Sequence, residues 1–292
     1  MYSKIFFSNF ALRLNLFLQL VRKFSIIIIL STLFISSCDL RPKLFKEELF
    51  KEEESEPRIE VQRYDRLESN YLTTGDFSAL QQMQTNYPME TRTLIENVLK
   101  IGSVNDSETN KKLLSYFQDS TLQIIIGDAE ATYANIDDIN RDLKLGMENL
   151  CKMIPDLEIP KFYASIGSLD HSIVVSDNSV GIFLDKYLGQ NYPLYKKFGY
   201  TDQQLTTMNR DHIVPDCLSF YLISLYPMDD FENATQEERD KYMGKIMWIC
   251  NSALNRKFFR TAFVDMVERY MHKHPNVTVV DLLKMNEHQA FK

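Results

Sequence analysis

His212 and Asp216 stand four residues apart in Arg210-Asp211-His212-Ile213-Val214-Pro215-Asp216. That separation puts two side chains on one helical face, and it is how an H-E-x-x-H helix presents two zinc ligands. The pattern also needs a second imidazole and a glutamate as general base. Here Asp216 takes the place of the second His, and Ile213 the place of the Glu. Pro215 sets His212 at the helix entrance, because proline is tolerated in a first turn and not in an interior. For Asp216 the expectation is a helix-start carboxylate that stabilises its own N-terminus. A divergent hydrolase stays open as an alternative: it needs Asp185, Tyr187, His212 and Asp216 to converge on a cleft within hydrogen-bond reach. His272 and His274 lie two apart, on different faces of a helix, and are unsuited to chelation. The chain has no G-x-G-x-x-G, no G-x-x-x-x-G-K-[ST] and no G-x-S-x-G, so neither a nucleotide cradle nor a nucleophile elbow is expected. The expectation is no catalytic residue, no metal and no cofactor.

Cys38 is the other reactive position. It follows Ile35-Ser36-Ser37, which closes an apolar run at 24–35 preceded by Arg22-Lys23. A basic start, an apolar middle and small residues before a cut form a secretory signal. A cysteine placed there resembles the lipobox of bacterial lipoproteins, which implies that its thiol carries a diacylglyceryl group. The run has 12 residues, whereas a membrane span needs about 20. Several acyl chains anchor firmly because each buried methylene contributes about 0.8 kcal/mol. Residues 1–37 are therefore a signal peptide, and a start near Leu20 or Val21 leaves it a more ordinary length.

Residues 1–37 contain four of the 33 basic residues and none of the 40 acidic ones, so the remainder carries a formal charge of −11. Nucleic acid binding is excluded on that ground, since it needs a basic face. Cys151, Cys217 and Cys250 remain after lipidation. They form no CxxC pair, and their apolar neighbours make them buried small hydrophobes.

Residues 38–57 read as a solvated, charged tether, with Lys46-Glu47-Glu48 nearly repeated in Lys51-Glu52-Glu53. A surface-export tag is its other reading. A globular domain spans 58–292. The whole chain has 45% apolar residues and only nine glycines and nine prolines, a composition that favours helices over a sandwich or barrel. Residues 58–64 read as an extended entry. Short helices are expected at 76–87, 89–101, 107–118 and 120–134, the second closed by Gly102. The first long amphipathic helix is expected at 137–153, with Leu143, Met147, Leu150, Cys151 and Ile154 on one face.

Segments 161–166, 172–176 and 180–184 are short and rich in β-branched and aromatic residues, with a turn signal at Asp177-Asn178-Ser179. They predict a small antiparallel sheet with room for one more edge strand. Its hairpin should send Ile182 and Leu184 to one face, against the helix at 137–153, and leave Lys186 on the surface. Thr201…Gln204 and Thr235…Glu238 are capping boxes. Behind the second, Met243, Ile246, Met247, Cys250 and Leu254 form an apolar stripe. Phe259, Phe263, Met266, Val267 and Tyr270 form another, and Thr278 opens a last helix.

Leu184-Asp185-Lys186-Tyr187-Leu188-Gly189, then His212-Ile213-Val214-Pro215-Asp216, then Gly244-Lys245-Ile246-Met247 occur in an order that resembles the GldB-like gliding-motility lipoprotein family, over about residues 59–255. The lipobox at Cys38 agrees with that family. The resemblance implies an α+β, mainly α-helical single domain laid out like a gluzincin without its metal site. It also implies a non-catalytic lipoprotein of the bacterial envelope, anchored to the inner or outer membrane through Cys38. Its domain would be periplasmic and serve gliding or secretion machinery with protein partners. The family brings no established catalytic residue, and the segment after Asn255 departs from its pattern. Besides the divergent hydrolase, a peptide- or glycan-binding lipoprotein stays open, using the hairpin's edge strand for strand addition.

Overall fold

The computed structural model describes residues 59–286 and Phe291. The expected signal peptide, Cys38 and the expected charged tether lie outside the described residues. The domain is α+β and mainly helical, with one small sheet.

The chain enters through β1 (Val61–Gln62) and turns at once into α1 (Tyr64–Thr74). The extended entry expected at 58–64 holds β1, and α1 is a helix the sequence did not indicate. Tyr64, Glu68, Tyr71 and Leu72 fall on one helical face, and all four are buried. Gly75 ends α1 at φ 74°, the left-handed position that costs glycine no Cβ clash. Asp76 then caps α2 (Phe77–Asn86) by accepting from the Ser78 N–H at 2.8 Å.

The helix expected at 89–101 is α3 (Pro88–Arg92) running into a π-helical stretch, Thr93–Val98. Gly102 does not close it. Lys100 takes the left-handed position instead, at φ 54°, two residues ahead of that glycine. Then follow α4 (Thr109–Tyr116), α5 (Ser120–Thr132) and α6 (Asp137–Met153). On α6, Leu143, Met147 and Leu150 are buried as expected, while Cys151 is only half-buried.

The sheet holds β1, β2 (Lys161–Ser165), β3 (Ile173–Ser176) and β4 (Ser179–Phe183) in the order β1-β2-β4-β3. It is mixed, which corrects the antiparallel expectation. Only the β3–β4 hairpin is antiparallel; β1–β2 and β2–β4 pair in parallel. A short link between strands does not force a hairpin, because the β2–β3 loop carries the chain past β4's place to the outer edge. Parity along the strands sets two faces. Tyr163, Ser165 and Gly181 look toward α1, where Tyr163 meets the Tyr64 ring at 6.1 Å. A Cβ on Gly181 would stand 2.5 Å from Tyr163 Oη, so only glycine lets that ring lie across β4.

The hairpin is covered by α9 (Ile213–Leu225), whereas α6 packs on α9 and on α10 (Gln236–Ala253). This corrects the expected docking of the hairpin on the 137–153 helix. α7 (Pro193–Lys197), α8 (Asp202–Leu205), α11 (Ala262–Lys273) and α12 (Val279–Lys284) complete the chain. All three capping threonines, Thr201, Thr235 and Thr278, make the reciprocal bonds of a capping box. The stripes are less regular. On α10, Tyr242, Lys245 and Ile249 are buried, while Met243 and Met247 are half-buried, because α9 and α6 pack on it as well as α11. On α11 only Val264 and Val267 are buried.

Candidate functional site

The strand β4 ends in a 3₁₀ turn, Leu184–Tyr187, where the two motifs singled out in the sequence meet. Asp185 is fully buried there. Its Oδ1 accepts from the Gly167 N–H at 2.9 Å and its Oδ2 from the Leu169 N–H at 2.8 Å. Burial pushes its carboxyl up to about 6, against the pull of those two N–H donors. Leu169, buried and at φ 69°, is a strained position for a branched residue, and the carboxylate fixes it.

A second buried carboxylate completes the clamp. Glu68 Oε2 accepts from Ser165 Oγ and from the Ile166 N–H, both at 2.9 Å. Burial raises its pKa well above the usual carboxylate range, and the nearby Asp185 and Asp65 carboxylates push the same way. Sequence reasoning missed Glu68. The signal was its position, four residues after Tyr64 and three before Tyr71, where an apolar residue belongs.

Lys186 is half-buried rather than an ordinary surface residue. Its Nζ donates to the Leu169 carbonyl at 2.7 Å and to the Tyr200 hydroxyl, with the ammonium 3.9 Å from that ring's centre. Tyrosines hold the rest of the turn. The Tyr195 hydroxyl donates to the Asp185 carbonyl at 2.7 Å and accepts from the Leu188 N–H at 2.8 Å. The Tyr133 hydroxyl donates to the Tyr187 carbonyl. Gly189, at φ 110°, lets the chain turn away.

Tyr187 is itself buried, and its hydroxyl donates to Asp216 Oδ2 at 2.8 Å. The Asp216 carboxylate is therefore engaged with the end of the sheet. It also lies in the first turn of α9, the helix-start position the sequence indicated. Burial lifts its carboxyl to about 7, and the phenol's hydrogen bond pulls the other way.

His212 sits at the entrance of α9 as the sequence indicated, in a 3₁₀ turn, Arg210–His212. It is held apart from the carboxylates: Nδ1 lies 3.0 Å from Asn209 Oδ1, and the ring packs edge-on to Phe258 at 4.7 Å. Burial lowers its pKa, opposed by Asp211. Arg210 fixes the same turn through Asp138, with Nε donating at 2.8 Å. Its guanidinium holds the Asp138 carboxyl below the usual range.

The four sequence candidates thus divide. Tyr187 and Asp216 are joined; Asp185 faces the β2–β3 loop, and His212 faces Asn209 and Phe258. An open cleft of about 680 Å³ lies beside the turn, walled by Tyr187, Gln190, Asn191, Tyr192, Asn209 and Asp211 among others. Asp185, His212 and Asp216 are not part of its wall. Cys217 and Cys250 are buried and Cys151 half-buried; burial raises all three thiol pKa values, which keeps them protonated.

The family model for the gliding motility protein GldB matches residues 47–258. The match begins ahead of the globular domain and stops just past Asn255, leaving the last two helices outside it. Neither a curated protein nor a solved structure matches the chain significantly.

Proposed function

We propose, from the premise that this chain belongs to the family of the gliding motility protein GldB, that it is a lipid-anchored, non-catalytic component of gliding or secretion machinery in a bacterial envelope. One observation supports this most. The four candidates for acid–base chemistry are engaged with backbone, with each other or with a side-chain amide: Asp185 on two N–H groups, Tyr187 on Asp216, His212 on Asn209. The domain then acts by binding envelope proteins. Cys38 carries the lipid that holds it at the inner or outer membrane, with the domain on the periplasmic side. Among the described residues no helix is long and apolar enough to cross a membrane.

Anchoring is tested by Cys38→Ser, which should abolish labelling with a palmitate analogue; continued labelling of the variant would sink the lipobox assignment. The non-catalytic reading is tested by His212→Ala and Asp216→Asn in motile cells. Both should glide normally at normal protein level, and a stable variant that fails to glide would overturn the reading. Cross-linking in the native envelope would identify the partners.

A divergent peptidase-like hydrolase, related in layout to gluzincins, is the second reading. The observation in its favour is the Tyr187–Asp216 pair, in which a carboxyl titrating near 7 touches a phenol. It requires peptidase activity that Asp216→Asn removes.

A further inference from the structure

The sheet has two edges, and the protein treats them differently. On the β1 edge the Val61 N–H is taken by Asn140 Oδ1 at 2.9 Å. On the β3 edge the phase of the hairpin decides what faces out. The Phe183 N–H donates to the Ser172 carbonyl at 2.9 Å, so the pairs 172/183, 174/181 and 176/179 exchange hydrogen bonds. Ile173 and Val175 therefore turn their N–H and C=O groups away from β4. Among the described residues these four groups have no partner.

Natural edges are blunted by charges, prolines or bulges. Ile173-Val174-Val175-Ser176 has none of these, and its register with β4 is unbroken. The strand is also firmly placed, since Ile173 is buried and α9 packs beside it. An edge already held in place loses little freedom on binding. Exposed acids, Asp170 and Asp177, stand before and after the strand, on a chain of net charge −7.

We infer that the outer edge of β3 is a strand-addition site for an extended segment of an envelope protein, apolar at its centre and basic at its flanks. Two donors and two acceptors, about 6.8 Å apart along the strand, hold the segment by its backbone. Asp170 and Asp177 select its flanks. The inference rests on the reading above, that the domain works by binding, and names the surface and the chemistry of the partner.

The test uses the full chain in detergent and a fluorescein-labelled Lys-Val-Thr-Val-Thr-Val-Lys peptide, followed by anisotropy. The peptide should bind, and its Glu-flanked counterpart should bind more weakly. N-methylation of alternate peptide residues removes backbone donors and leaves the protein untouched; it should weaken binding about tenfold or more. Val175→Pro should weaken binding similarly with an unchanged thermal melt, because the N–H it removes points outward. No binding, or equal binding of the N-methylated peptide, would overturn the inference. So would a peptide-free dimer that Val175→Pro dissociates, which would make a second copy the occupant. These outcomes leave the gliding of His212→Ala and Asp216→Asn cells untouched, so failure of the edge is separable from failure of the non-catalytic reading.

Discussion

The Tyr187 hydroxyl and Asp216 Oδ2 meet at 2.8 Å, and this bond ties the turn that leaves the sheet to the first turn of α9. The two residues are far apart in the chain, yet the same helix also covers the hairpin. The pair therefore locks a sheet-to-helix junction whose faces are already packed. Its carboxyl is the more sensitive member, because burial favours the protonated form.

That imbalance makes stability depend on pH. An unfolded aspartate titrates at about 3.9, whereas Asp216 titrates at about 7 and Asp185 at about 6 in the folded protein. Between those values the folded state holds protons that the unfolded state has released. The contribution is complete below about pH 4 and is lost as pH rises to about 7. Asp216→Asn removes one of these titrations. Urea melts should show wild type losing more stability than the variant between about pH 5 and about pH 8; parallel curves would refute the assignment.

Asparagine should be tolerated unequally at the two positions. At Asp216 it keeps an acceptor for the single Tyr187 hydroxyl. At Asp185 both oxygens accept a backbone N–H, so an amide must point its NH₂ at one of them. Asp185→Asn should cost about 1–3 kcal/mol, the penalty for a buried donor left unpaired. Asp216→Asn should cost less at the same pH, and denaturant melts compare the two directly.

Gly181→Ala should destabilise by about 1–3 kcal/mol through overpacking. Its Cβ would lie 2.5 Å from Tyr163 Oη and 2.6 Å from Cζ. Tyr163→Phe should not rescue it, because Cζ stays. A double-mutant cycle reads the coupling, and full rescue by phenylalanine would mean that the hydroxyl alone is the obstacle.

Leu184 and Lys186 both stabilise the turn, by different means. Leu184 is 2% exposed, and Leu184→Ala should cost about 2–5 kcal/mol. Lys186→Ala should cost about 1 kcal/mol or more, well above a surface change, because Nζ bonds the Leu169 carbonyl and the Tyr200 hydroxyl. Lys186→Met, which keeps most of the stem's packing, separates the lost bonds from the lost contacts. A negligible effect of both substitutions would return Lys186 to the surface.

What the sequence determined by itself is local. The capping boxes at Thr201 and Thr235, the helix opened by Thr278, the turn at Asp177-Asn178, the long helix Asp137–Met153 and the place of His212 at a helix entrance were all legible. Each depends on groups within a few residues of one another, whose bonds form wherever the element goes. Tertiary structure decided the rest. Val61 pairs with Phe162 across the fold, and β2 pairs with β4 in parallel although β3 intervenes in sequence. Glu68 is buried because Ser165 and Ile166 come to meet it. Asp216 titrates high because the fold buries it at the end of the sheet, and Lys186 is half-buried because the Leu169 carbonyl is brought to it. An apolar period says that a face will be buried and not against what, and a charged side chain has the same letter whether water or a backbone N–H satisfies it.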